Sequence, residues 1–544
     1  MSPRIWLPAL LALGACAHHE DVSTATLAIE PATVDLTLVN GVAVHQSYQA
    51  FLVFTDGTRR EVTGDSLFSV DSAFGAFAGN DLAVGIGGHA QVFGTYQDKT
   101  GAAELTARVR TVRVDPSLPP GTPDVFNGAD DPALAPTVVY PPAGAVMPRN
   151  VGDFEVHWTD GHAQDVFEVS LHTEYTDVKL YVKGGNGLAA TGPHPSWVAF
   201  QAAEWTTGAS AAAAVDVKVR GAVSATGKVG GGAAQSVVLS REDMLGGLYY
   251  WAAASAAPDA VTGIFRHDMA RPGEAAEEFL TTKQTSGRCV ACHVLSRDGT
   301  KMAITYDGGG KPATMVDVAT RSVANTVTAW NFATLTPDNQ QLLSVEAGVL
   351  TVRDASTQGV IATMTAATPV SHPDLSADGR HLVYVSNPTN SHDWDFSNGA
   401  VITRTYDPAT HTFGPEVTLH ADGKSNFYPS WSPDGQWVVF NKAATGASTY
   451  DDAAATTWVI KADGSAPAIH LAAADQTTGL TNSWPRWAPF PQTLGTTGEP
   501  LYWITLASKR DFGVRLRNTG LCQRPAQCTP AKSSQIWMTP FLPA

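Results

Sequence analysis

Three reactive side chains fall within five residues, at Cys289-Val290-Ala291-Cys292-His293. Two thiols three positions apart, followed directly by an imidazole, form the signature that attaches a c-type haem. The thiols add to the two vinyl groups as thioethers, and the imidazole reaches the iron. Two plainer readings use the same residues. One is a Cys289–Cys292 disulfide with His293 incidental. The other is zinc or another metal ion, although no second Cys/His pair at zinc spacing follows. If iron is held by His293, then His372, Met302 and Met315 are the candidates for its opposite face, and an open face is the alternative. Two strong protein ligands suit electron transfer, whereas an open position suits peroxide or gas chemistry.

Covalent haem attachment takes place outside the cytoplasm, so the chain must be exported. It begins "MSPRIWLPALLALGAC", with one basic residue, Arg4, and an apolar run from Ile5 to Leu13. That pattern predicts a short secretory signal over 1–15. The next residues, 16–26, read as a polar tether. No other apolar segment approaches the ~20 residues of a membrane span. The five cysteines then divide by task. Cys522 and Cys528 flank "QRPAQ" and most simply form a disulfide in an oxidising compartment. Cys289 and Cys292 remain for the motif.

Leu13-Gly14-Ala15-Cys16 resembles the lipobox of bacterial lipoproteins. The resemblance implies cleavage before Cys16, lipidation of its thiol and a tether to the membrane. Ala17, rather than Asp, follows Cys16, which in Gram-negative lipoproteins points to the outer membrane. The expected location is the cell envelope.

Other chemistry is thinner. "HDWDFSN" sets His392, Asp393, Asp395 and Asn398 in one loop, a spacing at which carboxylates can hold Ca²⁺, though turn carboxylates more often cap their own backbone. "YDD" at 450–452 is a weaker case. GxSxG and HExxH are absent from the sequence, so neither hydrolase nor metalloprotease chemistry is signalled. The net charge is −16, from 35 Lys and Arg against 51 Asp and Glu. With no basic run, this argues against nucleic acid as a partner.

The elements that must position the motif are strands. Charged residues make up 16% of the chain, alongside 49 Gly and 34 Pro. This composition favours β structure with many turns over helical bundles. Residues 27–115 alternate in short bursts around an Asp56-Gly57 hairpin signal, which suggests a sandwich. The run Tyr48, Ala50, Phe54, Asp56-Gly57-Thr58 and Val62-Thr63 resembles bacterial Ig-like group 2 domains. Residues 116–136 form a Pro/Asp/Gly-rich linker. From 137 to 237 alternation resumes, and "YPPAGAVMPRNVGDFEVHW" resembles the opening of a fibronectin type III-like sandwich with Trp158 as a core aromatic.

From 238 to 544 the sequence repeats. "CHVLSRDGTKMAITY", "FATLTPDNQQLLSVE", "HPDLSADGRHLVYVS" and "YPSWSPDGQWVVFNK" carry anchors at Ser296, Thr336, Ser376 and Ser432, spaced 40, 40 and 56 residues apart. A fifth window begins "WPRWAPF". Such periods mean a propeller or solenoid. Ser430-Trp431-Ser432-Pro433-Asp434-Gly435 resembles the core of the TolB-type, WD-like repeat. The resemblance implies a β-propeller. The five windows, with "GGLYYWAAA" and "GIFRHDM" before them, predict six blades, with seven as the alternative. Leu295, Leu335, Leu375, Trp431 and Trp487 fall in one register and should be inter-blade core. The expected fold class is therefore all-β: two β-sandwich (Ig-like) modules followed by a six-bladed β-propeller. The expected function is redox: an envelope protein with covalent haem for electron transfer or redox sensing, working with a redox or envelope protein partner. The alternative is a non-enzymatic scaffold whose propeller docks protein or glycan.

Overall fold

The computed structural model describes residues 22–510 and 534–543, apart from 73, 185–195, 202–203, 206–212, 241, 254–260, 270, 272–273, 275, 309, 311, 326, 387–392, 450–451, 477–478 and 495–497. The signal sequence, Cys16, His392, Cys522 and Cys528 lie outside the described residues. Strand accounts for 54% and helix for 5%, so the protein is all-β. No helix among the described residues is long and apolar enough to cross a membrane. The chain divides into two compact units, Met1–Thr111 with Glu174–Asp177, and Val112–Thr173 with Val178–Ala544.

In the first unit, Thr26–Glu30 pairs with Gln49–Val53, and Val44–Ser47 pairs with Asp81–Val84. Lys99–Val114 pairs antiparallel with Gly88–Tyr96 and parallel with Thr33–Val39. Alternate side chains of these strands point to one side. They meet in a single core that includes Leu38, Tyr48, Leu52, Leu82 and Leu105.

In the second unit one sheet runs Thr137–Tyr140, Phe154–Thr159, Ser196–Phe200, and Val166–His172, Ala214–Val223 and Gln235–Leu239 pair side by side. Trp158 is fully buried beside Phe167, with ring centroids 5.1 Å apart, and Phe154 stacks on Trp205 at 4.1 Å.

Among the described residues, six small antiparallel sheets then follow one another from Gly247 to Phe541. Their first strands are β1 (Gly247–Ala253), β2 (Val290–Leu295), β3 (Phe332–Leu335), β4 (Val370–Leu375), β5 (Ser425–Trp431) and β6 (Ser483–Trp487). Because side chains alternate along a strand, each sheet presents an apolar face to both neighbours. In the second sheet Met302 and Ile304 join Ile264 and Phe279 of the first, while Ala303 joins Trp330 and Leu342 of the third. Leu343 and Leu375 join the third sheet to the fourth, Val383 and Trp431 the fourth to the fifth, and Trp437 and Trp487 the fifth to the sixth. Leu501 and Trp503 of the sixth sheet pack with Met244 and Met269, which flank the outer strands of the first. The apolar contacts thus run once around a ring, a propeller-like arrangement. The last described strand, Gln535–Phe541, pairs with Glu499–Ser508, and its Phe541 ring meets Trp437 at 5.0 Å and Trp487 at 5.5 Å.

The repeat anchors have one local task. Ser296 Oγ donates to Asp298 Oδ1 at 2.6 Å and accepts from Lys301 N at 2.9 Å. Thr336 with Asp338 and Gln341, Ser376 with Asp378 and His381, and Ser432 with Asp434 and Trp437 make the same bonds. Each turn also holds a left-handed residue: Gly299, Asn339, Gly379 or Gly435, with φ between +59° and +71°. Only Gly, and less easily Asn, takes that conformation without strain.

Candidate functional site

Cys292 and His293 lie on β2, and Cys289 immediately precedes it. Counting back four residues from the four anchors gives Cys292, Phe332, His372 and Tyr428, on β2 to β5, and Trp484 takes the matching place on β6, four before Ala488. Counting back three gives His293, Ala333, Pro373, Pro429 and Pro485.

Four of these five strands carry a β-bulge at this level, where two residues face one on the partner. On β4 the irregularity falls between Ser371 and Asp374, on β5 between Phe427 and Ser430, and on β6 between Ser483 and Arg486. The bulged residues there are His372-Pro373, Tyr428-Pro429 and Trp484-Pro485. A bulge suits proline, which has no N–H to give to a ladder. The residue before each proline is left-handed, with φ of +47°, +49° and +58°. On β2 the bulge falls one residue earlier, between Val290 and His293. Its members are Ala291 and Cys292, and His293 returns to regular pairing opposite Ile304.

The shifted bulge decides where the reactive groups point. Val290 pairs with Tyr306 and His293 with Ile304. Tyr306 and Ile304 are two apart and share a face, so Val290 and His293 share one too. That face turns toward β1, where His293 hydrogen-bonds the backbone of Tyr249. The Cys289 thiol interacts with Trp251 of the same strand, and its backbone N–H donates to Asp307 Oδ1 at 3.2 Å. Cys292 faces the other way at its backbone, donating to Thr305 Oγ1 at 3.1 Å.

Cys289 and Cys292 are free thiols. Burial raises both thiols above the usual cysteine value, with the Asp307 carboxylate adding to the effect at Cys289. Burial lowers the His293 imidazole, and Arg486 lowers it further, against the bonds to Tyr249 and Ala291. Burial thus favours the neutral form of this ring. Protein closely surrounds Cys292 and His293, yet both keep part of their surface open. Two thiols and an imidazole are the donor types that covalent haem attachment uses.

His372 is set differently. It is 2% exposed, and burial together with Arg486 holds its imidazole well below the usual histidine range. Nδ1 stands 3.4 Å from the Tyr428 backbone N–H, while Nε2 is buried without a hydrogen-bond partner. Its ring lies 4.3 Å from Phe332, 4.1 Å from Tyr428 and 5.4 Å from Phe396. Tyr428 stacks on Trp484 at 4.0 Å, and Phe332 reaches Trp484 at 6.2 Å. Rings from β3, β4, β5 and β6 thus meet in one cluster. Met302 and Met315 are buried between sheets. Two residues beyond the rings, Asp374 accepts from Trp431 N at 2.8 Å and Ser430 Oγ at 3.0 Å, and Arg486 Nη1 stands 3.8 Å from it. The repeat register sets His372, Tyr428 and Trp484 on neighbouring lead-ins, with Asn331 rather than Phe332 beside them. The rings' common distance from the turn was the available signal.

The carboxylates of the 392–398 loop are bonded to protein. Asp393 Oδ1 accepts from Gly348 N at 2.7 Å and Oδ2 from Asn331 Nδ2 at 2.6 Å. Asp395 accepts from Ser448 Oγ, and Asn398 Oδ1 from Gly446 N. Among the described residues no group of three His, Cys, Asp or Glu side chains is placed to hold a metal ion. A cleft of about 850 Å³ lies between the 117–125 segment and Thr159–Phe167, and none of its lining residues belongs to the six sheets.

No family model matches the chain, and no curated protein matches it. Among solved structures it is similar to a putative TolB from Agrobacterium tumefaciens, at 15% identity over 49% of this chain and 94% of that one, with a TM-score of 0.30. It is also similar to Kuenenia stuttgartiensis hydrazine synthase, at 13% identity over 39% of this chain and 75% of that one, with a TM-score of 0.23. The propeller-like architecture rests on the six sheets themselves.

Proposed function

We propose that Cys289 and Cys292 carry a covalently attached c-type haem ligated by His293, on a six-bladed TolB-type β-propeller. Ahead of it stand a bacterial Ig-like group 2 module and a fibronectin type III-like module. The chain is exported, lipid-anchored through Cys16 and held in the cell envelope at the outer membrane. Its work there is electron transfer or redox sensing with an envelope partner. The observation that carries this reading is the pair of free thiols beside a neutral imidazole, on the one strand of five whose bulge is displaced.

The haem supplies one-electron chemistry at its iron. The chain's own part is to hold it. Cys289 and Cys292 fix it, His293 presents a nitrogen, and Tyr249 orients that ring. The test is expression with a periplasmic haem-maturation system, then denaturing electrophoresis and haem staining. The full chain should keep its stain after denaturation, and the Cys289→Ser, Cys292→Ser double variant should lose it. An unstained wild-type band, with no pyridine haemochrome, refutes the haem.

A further inference from the structure

Near the turns, side chains from separate sheets converge on Asp374 of β4. Its carboxylate accepts from Trp431 N and Ser430 Oγ on β5, and from Thr334 Oγ1 on β3 at 3.4 Å. Neutral donors from both neighbouring strands thus satisfy it. Two arginines reach the same stretch from sheets that do not adjoin the fourth. Arg297, in the turn after β2, donates to Leu375 O at 2.6 Å. Arg486 of β6 brings Nη1 to 3.8 Å from Asp374 Oδ1, beyond hydrogen-bond length. Its charge also acts on His293 of β2 and His372 of β4. A group on β6 that is near β2 and β4 at once lies inside the ring.

The Arg486 guanidinium offers five N–H donors in a planar fork. Among the described residues, none accepts a hydrogen bond from it. Its side chain is 38% exposed, although Pro485 and Trp487 on either side are buried. Arg297, Arg486 and Asp374 together leave one positive charge unmatched, in a chain of net charge −16.

We propose that Arg486, with Arg297 reaching the same point of β4, forms a site inside the ring for the carboxylate of a small monoanion. A carboxylate matches the guanidinium fork with two parallel N–H···O bonds. Asp374 limits the charge the site accepts, because it repels a dianion about twice as strongly as a monoanion. Acetate should therefore outbind doubly charged phosphate. The site stands without the haem, since neither Cys289 nor Cys292 takes part in it.

The test is arginine modification by phenylglyoxal at pH 8, read by peptide mapping of the full chain. Arg486 should react, and acetate should protect it saturably while Arg271, 66% exposed, stays unprotected. Inorganic phosphate at the same concentration should protect less. Arg297→Gln, with its fold checked by thermal melting, should raise the acetate concentration needed by about tenfold. An unreactive Arg486, equal protection of Arg271, stronger protection by phosphate, or no change in Arg297→Gln overturns the proposal. The Cys289→Ser, Cys292→Ser full chain should give the same protection, and its loss there also overturns the site. Failure of the haem reading is separate, because it shows as a missing covalent stain and leaves the Arg486 result standing.

Discussion

β2 and β4 run into the same turn from different beginnings. Ser296 and Ser376 close their hairpins with the same two bonds, to an Asp carboxylate and a backbone N–H. Four residues earlier, β4 has His372-Pro373 in a bulge with a left-handed backbone, while β2 has Cys292-His293 with the bulge displaced by one. The turn is common property of the repeat and serves architecture. The position four residues before the turn differs from strand to strand, and on β2 alone it carries a thiol instead of a ring. The difference separates what builds a sheet from what a sheet is used for.

Side-chain truncation at that position should sharpen the contrast most. Tyr428→Ala removes a buried ring in contact with His372, Phe332 and Trp484 and should cost about 3–5 kcal/mol. Cys292→Ala, at the equivalent place on β2, should cost about 1 kcal/mol or less. Denaturant unfolding followed by tryptophan fluorescence measures both. Equal losses would mean that Cys292 is as structural as Tyr428.

The turns should respond more mildly, and in graded fashion. Gly435 has φ +70° and open space where a Cβ would stand, so Gly435→Ala costs only backbone strain, about 1–2 kcal/mol. Gly379 has the same φ, but a Cβ there would lie 2.6 Å from Pro337 Cδ. Gly379→Ala should therefore be the more damaging by melting temperature. A reversed order would break the equivalence of the turns.

The smallest effect is electrostatic. Burial pushes the Asp298 carboxyl up, but bonds from Ser296, Thr300 and Asn339 outweigh it and hold it at about 2. An unfolded aspartate titrates near ~3.9. The folded state thus gains stability from this group above that value and loses it as pH falls through about 2. Ser296→Ala removes one donor and should move the acid-unfolding midpoint slightly upward in pH. An unchanged midpoint would show that the turn contributes nothing to acid resistance.

The turns were legible in the sequence because every part of them is local. A Ser or Thr, an Asp two residues on and a Gly or Asn next define both the bonds and the left-handed residue. The Cys-His cluster was legible for the same reason, and so was the inward register of Leu375, Trp431 and Trp487, which are buried. The bulges were not legible. They depend on how one strand pairs with another, and a residue before proline is ordinarily extended, so nothing in "SHPDLS" signals φ of +47° at His372. The ring cluster was hidden because its members lie 40 to 56 residues apart in sequence and meet only once the sheets have closed.

Closure itself has a place in time. Trp437 and Trp487 lie against Phe541, on a strand laid down about a hundred residues after the first of them. A ribosome that has finished the fifth sheet has not yet made the residue that covers it. The ring therefore stays open on that side until the strand Gln535–Phe541 is made.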